Sequence, residues 1–308
     1  MFELVVASGK GGTGKTSMVG SLADLIGPAV LIDCDVDAAN LHLIVPHRMT
    51  AEHDFSSSSK AFLDPEICTA CGVCVDSCRF EAISMIADSK SQWGVRIEID
   101  PLACEGCGLC THLCAFGALS FNKVSSGRWF ESEYENGPFL HAKLGIAQSN
   151  SGRLVSLLRE TARKTAAARG LDMILVDGPP GIGCPVIASL TNASYLLIVT
   201  EPSLSAIHDM TRLVELAEHF KIKTGICINR YDIDVEISER IDRFAAEKQI
   251  PVHGRIPFDP AFTQAQLQGK SYIQVSSPEG VERIKHILRG IADHAGLNDE
   301  NDKKKFAV

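Results

Sequence analysis

Eight of the eleven cysteines in this 308-residue chain fall in two short runs, Cys68, Cys71, Cys74 and Cys78, then Cys104, Cys107, Cys110 and Cys114. Both runs have the spacing C-x2-C-x2-C-x3-C. Three thiolates so spaced can wrap one face of a four-iron, four-sulfur cubane, while the fourth, offset by three, leaves to ligate a second cubane. The pairing therefore crosses: Cys68, Cys71, Cys74 and Cys114 for one [4Fe-4S] cluster, and Cys104, Cys107, Cys110 and Cys78 for the other. Tetrahedral zinc is the competing reading, but zinc sites use two C-x2-C pairs separated by a longer loop.

A second constellation lies near the start. Gly9, Lys10, Gly11, Gly12, Thr13, Gly14, Lys15 and Thr16 fit G-x-x-x-x-G-K-[ST] directly after an apolar run and directly before a helical pattern. Glycines let backbone N–H groups converge on phosphate oxygens, and the helix N-terminus adds positive potential. Lys15 would reach the β/γ-phosphates and Thr16 would offer its hydroxyl to Mg2+, with Ser17 beside it in the nucleotide-binding set. Lys10 is extra, since the cradle does not need a lysine at the second position.

The elements that must position these groups follow from hydrophobic periodicity. FELVVAS, the glycine loop, SMVGSLADLIG and AVLIDCD read as a βαβ opening that ends near Pro46. The alternation then stops for a serine-rich stretch and the cysteine runs. Trp129 to Tyr134 and Phe139 to Leu144 suggest a hairpin turning at Glu135-Asn136-Gly137-Pro138. From Ser151 the alternation resumes with a helix over Leu154 to Ala168, the strand MILVDG, a helix after Pro185, and strands YLLIVT, TGICIN and PVHGRIP. The fold class expected is α/β, a mostly parallel sheet with helices on both faces, interrupted by a smaller α+β module. The expected domains are 1–46 with 125–308, and an insert at 47–124.

Composition narrows the function classes. A 45% hydrophobic content is that of an ordinary globular chain, and a formal charge of -8 supplies no basic excess for broad capture of nucleic acid, although a local basic patch is compatible with it. The apolar strand begins almost at Met1, which leaves no room for a secretion signal, and no run approaches the roughly 20 apolar residues of a membrane span. A cytoplasmic protein without stable membrane insertion is expected. The helix over Val281 to His294 carries an apolar stripe; packing on the sheet explains it better than membrane targeting. Cys34 and Cys227 sit in apolar strands and read as core.

The GKGGTGKT loop resembles the deviant Walker A motif of the MinD/ParA superfamily of P-loop ATPases, which includes the nitrogenase iron protein and the Mrp/Nbp-type iron-sulfur carriers. The resemblance covers about 1–46 and 145–295. It implies ATP hydrolysis, a nucleotide-dependent homodimer or a heterodimer with a paralogue, and contact of Lys10 with nucleotide on the partner subunit. It also implies that Asp35 orients the attacking water, with Asn40 following, that Asp33 lies on the magnesium side, and that Asp177 holds Mg2+ through water beside a mobile Gly181. Asn229, Arg230, Pro257, Phe258 and Asp259 resemble an adenine pocket. A plain turn-capping role is the alternative for Asp35 and Asp177.

The cysteine runs are similar to the bacterial ferredoxin pattern, except that Arg79 and Ala115 stand where proline often follows the fourth cysteine. The whole resembles the MinD subgroup with an inserted ferredoxin-like domain. Cys184 falls seven residues after Asp177 at a helix start; a buried structural cysteine is the leading reading, and a metal ligand is the alternative, because the offset is similar to that of the intersubunit cluster ligand in the nitrogenase iron protein. These readings imply an ATP-dependent switch gating electron transfer to, or metallocluster assembly on, a client protein. The alternatives are a cluster carrier or metal-insertion chaperone and, last, a positioning ATPase.

Overall fold

The computed structural model describes residues 1–145 and 150–297. Contacts divide it into two compact units: 1–53, 129–143 and 151–297 form the larger, and 54–128 with 144, 145 and 150 the smaller.

The central strands of the larger unit, Phe2–Ser8, Val30–Asp33, Met173–Pro180, Tyr195–Thr200 and Lys223–Asn229, are short, mainly apolar runs buried on both faces, as a covered parallel sheet requires. In chain order the elements begin β1 (Phe2–Ser8), α1 (Lys15–Leu25), β2 (Val30–Asp33) and β3 (His47–Phe55). The smaller unit then holds β4 (Ser58–Leu63), α2 (Val73–Asp76), β5 (Ile83–Ala87), β6 (Val95–Ile99), α3 (Leu109–Leu113) and β7 (Leu119–Val124). The chain re-enters the larger unit through β8 (Gly127–Tyr134) and β9 (Gly137–Leu144), followed by α4 (Ser151–Arg169), β10 (Met173–Pro180), α5 (Cys184–Leu190), β11 (Tyr195–Thr200) and α6 (Leu204–Phe220). It ends with β12 (Lys223–Asn229), α7 (Val235–Glu247), β13 (Val252–Ile256), α8 (Ala261–Leu267) and α9 (Pro278–Ala295).

Nine strands form one sheet in the order β13-β12-β11-β1-β10-β2-β9-β8-β3. From β13 to β9 every neighbouring pair is parallel. Alternation along β1 assigns the faces. Leu4 and Val6 join the core built with Met18 and Leu22 of α1 and Ile284 and Leu288 of α9. Glu3 meets Arg159 of α4 instead, its Oε1 accepting from Nε at 2.7 Å, while Arg163 reaches its second oxygen. Cys34 and Cys227 are fully buried, and burial raises both thiols, Cys227 to about 12. The apolar stripe of α9 is likewise buried on the sheet side.

The expected hairpin around residues 129–144 is present, but its turn is only Glu135-Asn136, and β9 continues the main sheet by pairing parallel to β2. Gly137, at φ 145, lies so near Ala29 that an added Cβ would stand 2.5 Å from its carbonyl oxygen. That close approach lets β9 enter the sheet. Because β3 and β8 also join it, the smaller unit begins at Asp54 and runs to Arg128, inside the expected 47 edge and beyond the expected 124 edge.

The smaller unit consists of two antiparallel pairs, β4 with β7 and β5 with β6, plus the two short helices. Its buried apolar cluster is small: Cys74, Ile83, Ile97 and Leu119.

Candidate functional site

A cleft of about 310 Å³ opens at the carboxyl ends of the parallel strands. The loop after β1 forms its floor. Gly12 and Gly14 adopt φ 83 and φ 93, a left-handed backbone that glycine alone enters freely. No side chain caps α1, which leaves the N-terminus of this 11-residue helix facing the cleft as an anion site. Gly9 serves packing, because an added Cβ would collide with Asp209 of α6.

Of the residues expected to bind nucleotide, Gly11, Gly12, Gly14, Lys15, Thr16, Ser17, Asn229, Arg230, Phe258 and Asp259 line the cleft, as do Asp35 and Asn40. Gly9, Lys10, Thr13, Asp33, Asp177 and Pro257 are not among its lining. Lys10 turns to Glu201, 2.6 Å away. Asp259 accepts from the Tyr272 hydroxyl at 2.7 Å and so braces the cleft wall. Phe262, Thr263 and Gln266 of α8 complete the wall, and sequence reasoning missed them because their spacing on a short helix looks like any amphipathic turn.

Three carboxylates surround Lys15. Asp177 Oδ1 lies 2.7 Å from its Nζ and Asp35 Oδ2 3.9 Å. Burial works against the ammonium, yet Asp177, with Asp33 and Asp35, outweighs it and holds the Lys15 pKa above its ordinary value. Asp177 is fully buried, and its second oxygen has no protein partner. Asp33 differs: its Oδ1 accepts from the Asp35 N–H and its Oδ2 from Asn40 and Leu41, so both oxygens shape the loop after β2. Burial and the neighbouring Asp177 push Asp33 up to about 7. Asp35 is raised as well, first by burial, against the pull of Lys15.

At the other end of the cleft, Asn229 donates from Nδ2 to the Thr13 carbonyl at 2.8 Å, while its buried Oδ1 has no partner. Arg230 adopts φ 54, a left-handed conformation costly for a side-chain-bearing residue.

The smaller unit places its eight cysteines around two small, almost wholly apolar cavities. One is lined by Cys68, Cys71, Cys74 and Cys114, the other by Cys78, Cys104, Cys107 and Cys110. The two loops share one backbone pattern. Ala70 and Gly72 have positive φ, as do Gly106 and Gly108 at the same offsets, and Glu81 and Gly117 repeat it three residues after the fourth cysteines. This turns amides inward; the Ala70 N–H donates to Cys68 Sγ at 3.4 Å. Burial and then neighbouring cysteines raise the Cys74 and Cys110 thiols, although bonds from nearby N–H groups oppose the rise. Among the described residues, no three His, Cys, Asp or Glu side chains converge closely enough to hold a single metal ion. Cys184 is exposed at the start of α5.

A histidine cluster escaped the sequence because His141 is distant in the chain from His42 and His47. His141 of β9 stacks on His42 at 5.4 Å and on Phe130 and Phe139, with His47 5.5 Å away. Burial and the other two rings lower His141 to about 4.

The nucleotide cleft and parallel sheet are those of a P-loop protein. The chain belongs to the CobQ/CobB/MinD/ParA nucleotide binding domain family, whose model matches residues 4–272. It is 34% identical over 235 residues to an uncharacterized protein of Methanocaldococcus jannaschii, covering 75% of this chain and 78% of that one. It is 30% identical over 141 residues to an iron-sulfur cluster carrier protein of Mycobacterium tuberculosis, covering 40% of this chain and 36% of the carrier. Among solved structures it resembles MinD of Pyrococcus horikoshii complexed with Mg-ADP, at TM-score 0.57 and 17% identity, over 97% of this chain and 99% of that one. The cell division ATPase MinD of Pyrococcus furiosus gives 0.55 at 18% identity, covering 95% and 98%. At such identities the likeness is one of fold. Among the described residues no helix is long and apolar enough to cross a membrane.

Proposed function

We propose that the chain is an ATP-hydrolysing switch that gates electron transfer to, or metallocluster assembly on, a client protein through two [4Fe-4S] clusters in a ferredoxin-like smaller unit. The iron-sulfur half rests on one observation: each cavity draws three cysteines from one run and one from the other. The lack of a single-ion site is compatible with this, because the thiolates of a cubane bind separate irons and stand apart around a guest. Bound there, the clusters would supply one-electron chemistry. The chain's own groups exclude water with Ile97, Ala118 and Leu119 on one side and Ala61, Ala82 and Ile83 on the other, and donate N–H bonds to sulfur.

For the nucleotide half, the buried unpartnered Oδ1 of Asn229 suits an adenine amine, which makes ATP the preferred nucleotide. Lys15 holds the phosphates, and Asp35, at the cleft, orients the attacking water. Thr16 and the free oxygen of Asp177 fit Mg2+, whereas Asp33, whose oxygens are occupied, acts by shaping the loop. Hydrolysis in a cytoplasmic dimer would shift the population of its conformations.

A cluster-carrier role is the second reading, favoured by the exposed Cys184 and by the partial similarity to the carrier protein. A positioning role ranks last, since α9 uses its apolar stripe within the protein. Anaerobic purification with iron and sulfide counting tests the proposal, combined with the reduced spectrum, potential and oligomer mass with and without Mg-ATP. About eight irons per chain that persist through turnover, with an ATP-dependent potential or mass, are expected. Iron lost during turnover, or extra iron requiring Cys184, would favour the carrier role; absence of iron would sink the iron-sulfur half.

A further inference from the structure

Three neighbouring strands, β1, β11 and β12, end on one side of the nucleotide cleft, and each is followed by a charge: Lys10, Glu201 and Arg230. Glu201 joins the other two. Its Oε1 lies 2.6 Å from Lys10 Nζ, and its Oε2 accepts from Arg230 Nη1 at 3.1 Å. Ser203 Oγ accepts a further bond from Lys10 at 3.3 Å. Glu201 is only 18% exposed, so solvent screens these contacts incompletely.

The two cations belong to different ends of the site. Arg230 lines the cleft beside Asn229 and Phe258, whereas Lys10 belongs to the phosphate loop but not to the cleft lining. Arg230 is held in a left-handed conformation, and such strained positions concentrate where function requires them. A bound polyanion attracts both cations and repels the carboxylate between them. Because one carboxylate holds both cations, its withdrawal from the phosphate charge breaks both contacts at once.

We propose that Glu201 is a positioning residue that couples the two ends of the nucleotide site: while it grips Arg230 it also holds Lys10 away from the cleft, and an incoming triphosphate releases both together. The proposal rests on the ATP reading above and adds a residue and a linkage to it.

A double-mutant cycle in the full-length chain tests it, with a fluorescent, non-hydrolysable ATP analogue as probe and thermal melting as the folding control. Glu201→Gln is expected to tighten binding about fivefold and to lower KM for ATP with little change in kcat; in a Lys10→Ala background the same substitution changes binding less than about twofold. Glu201→Asp keeps the charge but is one methylene short of spanning both cations, so it should lose the same coupling. It also carries the test should Glu201→Gln fold poorly. Equal effects of Glu201→Gln in both backgrounds, or wild-type coupling in Glu201→Asp, would overturn the proposal. If the wild-type chain binds no analogue, the nucleotide reading fails and this proposal falls with it.

Discussion

The two units solve opposite burial problems. The larger one buries charge and compensates it internally: Lys15 lies among three carboxylates, and Glu3 is gripped by Arg159 and Arg163 beneath a wide aliphatic core. The smaller one gathers eight thiols, of which only Cys74 is buried while Cys71 and Cys107 are exposed, around two apolar cavities, with a four-residue apolar cluster and strands of at most six residues. On the iron-sulfur reading proposed above, a unit with so small a core would draw its order from what the cysteines hold, as in metal-dependent folds. On the same reading, the larger unit would need its ligand for chemistry and the smaller one for structure.

The sharpest way to break this contrast, on the iron-sulfur reading, is to treat anaerobically purified protein with an iron chelator and follow amide exchange. Protection within 54–128 should fall by about a thousandfold or more, while β1, β10 and β11 change by less than about tenfold. Uniform loss across the chain would contradict the division. Within the larger unit, Lys15→Ala should lower ATP turnover by about a hundredfold to a thousandfold, measured as phosphate release. The same substitution leaves Asp177 buried and unpaired, so melting of this unit should fall by an amount on the order of 3 kcal/mol.

Acid should act on the larger unit. His141 and His253 are both lowered from 6.5 to about 4, each first by burial. The folded chain therefore binds fewer protons than the unfolded chain below that ordinary value. Stability is fully present above about 6.5 and declines as pH falls toward 4, by about 1–3 kcal/mol per ring. Melting from pH 7.5 to 5, compared between wild type and a His253→Gln variant, checks the sign. The matched loops of the smaller unit give a paired test. Gly106 has positive φ and a Cβ there would collide with the Ser59 carbonyl, so Gly106→Ala should destabilise by about 2 kcal/mol. Ala70 occupies the equivalent offset at φ 52, and Ala70→Gly should cost nothing or gain up to about 1 kcal/mol.

What the sequence disclosed was local. The phosphate loop and cysteine runs are contiguous, so their spacing carries their geometry, and the grouping of cysteines around the two cavities follows the same spacing. What it hid depends on distant residues. The entry of β3, β8 and β9 into the main sheet rests on the fit of Gly137 against Ala29. An acid after a strand reads as a turn cap, which concealed Glu201. Asp33 was legible as a strand-end carboxylate, but its partners are backbone N–H groups up to eight residues on, a loop conformation that composition does not specify.

The smaller unit leaves and re-enters its host through β3 and β8, which are neighbours in the sheet, and the Ser126 N–H donates to the Phe55 carbonyl at 2.7 Å. Its two ends therefore meet. For the host, the intervening chain occupies the place of a hairpin loop, and lengthening a loop costs conformational entropy only logarithmically. The length and content of the intervening chain can therefore vary without altering the order in which the host's strands find one another.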